Sequence, residues 1–156
     1  MKKTHEMEKL ERFLRSSQLV AGGFLGNDVR DLTEIIRADT EAVKLAGFSL
    51  AQVAARMQEI TDSAKEGLGG YVEISKSVRA CEDEVKGRIV CPWPHPVSFD
   101  KRITTVIAEE LDEEISWSDL NIHMIAEHGF FEGRGSALRI EPGKLIRIIF
   151  YSSEQI

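Results

Sequence analysis

Tyr71-Val-Glu-Ile-Ser-Lys-Ser-Val-Arg-Ala80 is where the chain changes period. Val72, Ile74, Val78 and Ala80 alternate with Glu73, Ser75, Ser77 and Arg79, the period of two that marks a strand with one buried face. After Glu82-Asp-Glu84 the alternation resumes through Val85, Gly87, Ile89 and Cys91. With a turn placed near 82–84, the stretch predicts a β-hairpin whose buried face carries Cys91 as a small hydrophobe. Cys81 then does not face Cys91, so no cross-strand disulfide is implied.

Everything before Tyr71 has helical spacing. Met7, Leu10 and Leu14 mark an amphipathic helix over 4–21. Val29, Leu32, Ile35, Ile36 and Val43 share one arc of a second helix over 28–46, closed by Gly47. Ser49-Leu-Ala-Gln52 is a capping box and opens a third, which ends at Gly69-Gly70. After the hairpin, Ile103, Val106, Ile107 and Leu111 predict a helix over 100–113, with a β-branched run that also suits a strand. Ser116-Trp-Ser-Asp119 opens a helix to about His128, stopped by Gly129. Ala137-Leu-Arg-Ile140 and Leu145-Ile-Arg-Ile-Ile-Phe150, joined by Pro142-Gly143, predict a second hairpin.

The fold class that follows is α+β: a helical N-terminal half packed on a mostly antiparallel sheet of two β-hairpins, with two helices inserted between them. A length of 156 residues fits one domain. Gly69-Gly70 is the one signal for a division into 1–69 and 70–156. The expected core holds Val29, Leu32, Ile36, Val53, Met57, Ile60, Ile74, Ile89, Leu120, Met124, Ile146 and Ile148.

Composition narrows the function classes. The net charge is −6, with 10 basic and 11 acidic residues in 1–70 and 10 and 15 in 71–156. No apolar run is long enough to span a membrane, and the charged start has no apolar signal-peptide segment. Two cysteines make neither a disulfide framework nor a four-cysteine zinc set, which fits a reduced cytoplasmic protein. The second and third helices resemble a helix-turn-helix in outline, but Arg56 and Lys65 are outnumbered by Glu59, Asp62 and Glu66, so nucleic-acid binding is not favoured. Glu109-Glu-Leu-Asp-Glu-Glu114 reads as a solvated element end.

Few residues invite chemistry. Asp39 falls on the apolar arc of the second helix, so it is either a structural buried pair or a catalytic base. Gly22-Gly-Phe-Leu-Gly-Asn-Asp28 lacks the phosphate-loop pattern, and a carboxylate or amide of Asn27 or Asp28 is expected to fill it. Cys91 and His95 have metal-pair spacing, but an extended Pro92-Trp-Pro-His-Pro96 would hold them about 13 Å apart. That excludes one tetrahedral zinc unless the segment turns.

The densest candidate stretch is His123-Met-Ile-Ala-Glu-His-Gly-Phe-Phe-Glu-Gly-Arg-Gly-Ser136. His123 and His128 lie about 140° apart on a helix, so a joint site needs a third element between them. The simplest reading of His128 is a packed ring at a helix end. Arg134 is a candidate anion contact, and Phe130-Phe131 a candidate seed for a homodimer interface.

Three functions compete on these residues. The first is a non-enzymatic binding or regulatory domain that self-associates and has no predicted cofactor. The second is an acid-base or metal-dependent enzyme. It would use Asp39 and His128 catalytically, with Arg134 and His123 as ligand contacts, or Cys91, His95, His123 and His128 around zinc or another divalent ion. The third is a nucleic-acid binder over 28–68. No small-molecule ligand is indicated by any motif.

Overall fold

A computed structural model describes residues 4–152; the first three residues of the charged start lie outside the described residues. Helices α1 (His5–Arg15), α2 (Leu32–Leu45) and α3 (Leu50–Lys65) are followed by strands β1 (Val72–Ser75), β2 (Val78–Val90), β3 (Ser98–Ala108) and β4 (Glu113–Ser118). Helices α4 (Asp119–His128) and α5 (Pro142–Ile149) complete the chain. The sheet is an antiparallel meander in the order β1-β2-β3-β4. The α+β class and the helical N-terminal half are as expected; three details of the sheet and its insertions are not.

The first hairpin turns at Lys76-Ser77, where Ser77 has a φ of 68°, and not at 82–84. Cys81 and Cys91 consequently belong to one long strand and its end. Residues 98–108 form β3 rather than a helix. The Ile103-Thr-Thr-Val-Ile107 run suits a pleated surface, and the acidic residues that follow would oppose the dipole of a helix ending there. Residues 142–149 form α5 rather than a hairpin arm. Pro142 occupies the first helical turn, and Leu145, Ile146, Ile148 and Ile149 are buried at helical spacing. Short apolar runs of this kind satisfy both periods, and packing decides between them.

One face of the sheet builds the larger core. Val78 and Ala80 of β2, Val106 and Ala108 of β3, and Ile115 and Trp117 of β4 are buried, in cross-strand register, against α3, α4 and α5. Trp117 Nε1 donates to Thr61 Oγ1 at 2.8 Å, and Thr61 meets Thr104 at 3.1 Å, so the polar atoms carried into this core are paired. The acidic run closes the β3–β4 turn. Asp112 takes the left-handed conformation, Glu109 pairs with Arg79, Glu110 accepts from Ser77 and Tyr151, and Glu113 pairs with Arg147.

A second core joins Leu10 and Leu14 of α1, Phe24 and Leu25, Leu32 and Ile35 of α2, Cys91, Leu120, Met124 and Phe130. Helix α4 lies between the two cores, with Ile122 and Ile125 in the first and Leu120 and Met124 in the second. A helix buried on both sides can carry functional side chains only where it emerges, here at His123 and at its C-terminal end.

The N-terminal helices depart from expectation in three ways, the first being that α1 ends at Arg15 rather than at residue 21. Helix α2 begins at Leu32, whose N–H donates to Glu11 Oε1 of α1 at 2.9 Å, so Val29 precedes it and is 93% exposed. Helix α2 packs chiefly on α5, and α3 on α4 and β2, rather than the two forming a hairpin. The two glycine-rich stretches meet backbone to backbone. A Cβ on Gly26 would lie 2.3 Å from Ser136 N, and one on Gly133 2.4 Å from Leu25 O. No helix among the described residues is long and apolar enough to cross a membrane.

Candidate metal centre

Beyond Asp83 the β2–β3 pair runs on as a two-stranded ribbon, with its register broken between Val85 and Arg88. At its tip the 91–97 connector folds back on itself. Cys91 N–H donates to Val97 O at 3.1 Å, His95 N–H to Trp93 O at 2.8 Å, and Val97 N–H to His95 O at 3.0 Å. The expected extended connector is therefore a turn, in which two successive three-residue closures satisfy the N–H groups of His95 and Val97, between the prolines that have none. The fold-back brings the His95 ring onto the Cys91 thiol, with Nε2 and Sγ 3.1 Å apart.

Helix α4 supplies the other two donors. His123 Nε2 and His128 Nε2 each lie 3.3 Å from His95 Nε2, and His128 Nε2 lies 3.6 Å from Cys91 Sγ. The angular separation of the two helix positions is bridged by His95, which reaches in from the connector. The capping box of Ser118 and Asn121 fixes the start of α4, and the left-handed Gly129 fixes its end. The four donor atoms all lie within 4.8 Å of one another.

Aromatic residues hold the rings in place. Trp93 stacks on His128 at 4.1 Å between centroids and 6° between planes, and meets Phe130 edge-on at 5.4 Å. Phe99 lies against His123 at 4.9 Å. Neither Trp93 nor Phe99 stood out in the sequence, although a tryptophan between two prolines beside Cys91 was a signal that the connector has a packing task.

Burial dominates the electrostatics of Cys91, His123 and His128. Burial, reinforced by the neighbouring His123 and His95, pushes the His128 pKa down to about 4. Burial and His95 lower that of His123, while Glu127 opposes them. Burial raises the Cys91 thiol pKa against a hydrogen bond from the Trp93 main chain. Three Nε2 atoms and a sulfur thus converge with few protons to share. A neutral imidazole nitrogen carries one hydrogen or one lone pair, so His95 Nε2 cannot satisfy all three neighbours by hydrogen bonding. A cation at the centre would satisfy all four at once.

The remaining candidates lie elsewhere. Asp39 is buried in α2 and paired with Arg139, Oδ2 to Nη1 at 2.5 Å and Oδ1 to Nη2 at 3.0 Å; it is not among the four donors. Arg139 also donates to Glu132 O and to Glu141. Arg134 is exposed, and its N–H donates to Asp28 Oδ2 at 3.0 Å. Phe130 and Phe131 are fully buried, so the pair offers no surface for a dimer interface.

Asp28 fills the glycine-rich loop internally, as expected of an acidic side chain there, though it does not cap α2. Its oxygens also accept from Arg30 Nε at 3.0 Å and Nη2 at 2.7 Å. The Arg30 hydrogen bond, stronger than the opposing effect of burial, holds the Asp28 carboxyl well below the usual range. A depressed folded-state pKa contributes stability above the unfolded value that is lost as pH falls through the folded one. Asp28→Asn should therefore be less stable than the parent at pH 7 by on the order of 2 kcal/mol, and the gap should narrow below about pH 4 in urea melts. A gap independent of pH would assign the loss to shape rather than charge.

No family model matches this sequence, and no curated protein or solved structure is similar to it.

Proposed function

We propose that this chain is a metal-binding domain that holds one zinc ion through Cys91, His95, His123 and His128. The observation that carries the reading is the donor geometry. Zinc bonds of about 2.0–2.1 Å to nitrogen and 2.3 Å to sulfur, arranged tetrahedrally, place donors about 3.3–3.6 Å apart. Four of the six separations are 3.1, 3.3, 3.3 and 3.6 Å, and all six are within 4.8 Å, so a small adjustment of the side chains would bring the donors onto one ion. One thiolate with three imidazoles is a borderline-soft set that suits zinc.

Four protein ligands close the coordination sphere and leave no position for a water nucleophile. The reading therefore favours a structural or metal-responsive role over hydrolysis. It joins the binding-domain expectation to the metal expectation, and assigns Asp39 to the ion pair. A thiolate ligand also requires reduced Cys91, in keeping with the cytoplasmic expectation. Nucleic-acid binding has little support, because Arg56 and Lys65 are paired with Glu59 and Asp62, and the apolar side of α3 is buried in the core.

Metal analysis of protein purified without added metal should find about one zinc per chain. Cobalt(II) exchanged into the site should show a thiolate-to-cobalt charge-transfer band that Cys91→Ser lacks. Protein that carries no stoichiometric metal and gives no such band refutes the site.

A further inference from the structure

A second feature lies apart from the four donors. A cleft of about 280 Å³ opens between the 19–24 segment, the β2–β3 ribbon, the start of α4 and the 132–138 loop. Leu19, Val20, Phe24, Ile89, Leu120 and Leu138 give it apolar walls. Glu132 is also on its lining, although only 4% exposed.

Glu132 is the anomaly. Its φ of 68° is in the left-handed region, which a non-glycine residue occupies at a cost of about 1 kcal/mol or more. Its carboxylate accepts from Asn121 Nδ2 at 2.7 Å and Ser136 Oγ at 3.0 Å, both neutral donors. Each oxygen keeps a further acceptor position. Arg139 touches only the Glu132 main chain and spends its guanidinium on Asp39 and Glu141. Burial pushes the Glu132 pKa above the usual range, with the Asn121 and Ser136 hydrogen bonds and the Arg139 charge opposing it. A buried carboxylate among the cleft-lining residues, with no ion-pair partner among the described residues and its nearest cation engaged elsewhere, is an incomplete pair, and desolvation makes an added cation worth more than it would be in water.

We propose that this cleft binds a small amphipathic cation, a protonated amine on a compact apolar body, with the ammonium at Glu132 and the body along the apolar walls. The other charges on the lining agree with that orientation. Asp100 is already bonded to Arg88 at 2.7 Å, and Lys101 repels an ammonium from its own side of the cleft. The size suits a single ring with a short chain rather than a larger cofactor. The inference uses none of the four metal donors and stands independently of them.

The test titrates the full-length, as-purified protein with 2-phenylethylamine, 2-phenylethanol and 3-phenylpropionate, followed by amide chemical shifts. The amine should shift residues in 19–24 and 132–138 and bind at least about tenfold more tightly than the other two probes, a factor of ten being about 1.4 kcal/mol. Glu132→Gln should bring the amine down to the affinity of the alcohol. Val20→Trp, which fills the cleft from the wall and leaves the carboxylate in place, should abolish binding of all three. Equal affinity for amine and acid, an amine affinity unchanged in folded Glu132→Gln or in Val20→Trp, or no shifts with any probe would overturn the proposal. Metal content measured on the same samples separates this outcome from failure of the zinc site.

Discussion

Removing metal with a strong chelator is expected to lower the melting temperature by about 10 °C without unfolding the protein at 25 °C. An ion present at about a thousand times its dissociation constant stabilises the folded state by about 4 kcal/mol. For a chain of this size each 1 kcal/mol is worth about 2–4 °C. The fold should survive, because the larger core of sheet, α3 and α5 contains none of the four ligands. In this the chain differs from a zinc finger, whose core is too small to persist without its ion. The loss should concentrate at the 91–97 connector and the end of α4. There, three imidazoles and a thiol would be left within 4.8 Å of one another. His123→Ala and Cys91→Ser should each reproduce most of the effect and become insensitive to chelator. Readdition of zinc should restore the parent melting temperature and neither variant's. An unchanged melting curve after chelation, with metal loss verified, would contradict a stabilising site.

Asp39→Asn is expected to destabilise the fold by about 3–5 kcal/mol, with zinc content unchanged. Removing one partner of a buried ion pair leaves the other charge unpaired, and that penalty exceeds the worth of the pair itself. Here the group that loses its buried partner is Arg139, which keeps only the exposed Glu141 and Glu132 O and no longer draws the 132–141 segment onto α2. The double variant Asp39→Leu with Arg139→Met should lie closer to the parent than either single change, because it removes both charges together. Urea denaturation of Asp39→Asn, Asp39→Leu, Arg139→Met and the double variant measures this directly. Parent-like stability in Asp39→Asn would show that the carboxylate is not holding the fold and would reopen its role as a base.

The sequence showed some of this site and hid the rest. All four donors were visible as a metal-capable set. Two geometric objections stood against them: an extended proline connector and a five-residue helical spacing. Both were sound for isolated elements. The first fails because Cys91, Trp93, His95 and Val97 close turns within the connector. The second fails because His95 enters from another element and meets both α4 rings. Glu132 was passed over because a glutamate between Phe131 and Gly133 looks like a solvated loop residue. Its burial follows only from the backbone contact of two distant glycine-rich loops. Asp39 was legible as an anomaly from its place on an apolar arc, while its partner, a hundred residues away, was not.

From the sequence alone follow the α+β class, the capped helices α3 and α4, the alternation that begins at Tyr71, and the four residue types of the candidate metal set. These rest on local physics: side-chain period, capping chemistry and donor type act over a few residues. Only the tertiary structure decided that 98–108 is a strand, that 142–149 is a helix, and that four donors from a ribbon tip and a helix end share one point. Short apolar runs fit either period until a core selects one, and ligand convergence is a long-range property that spacing along the chain does not encode.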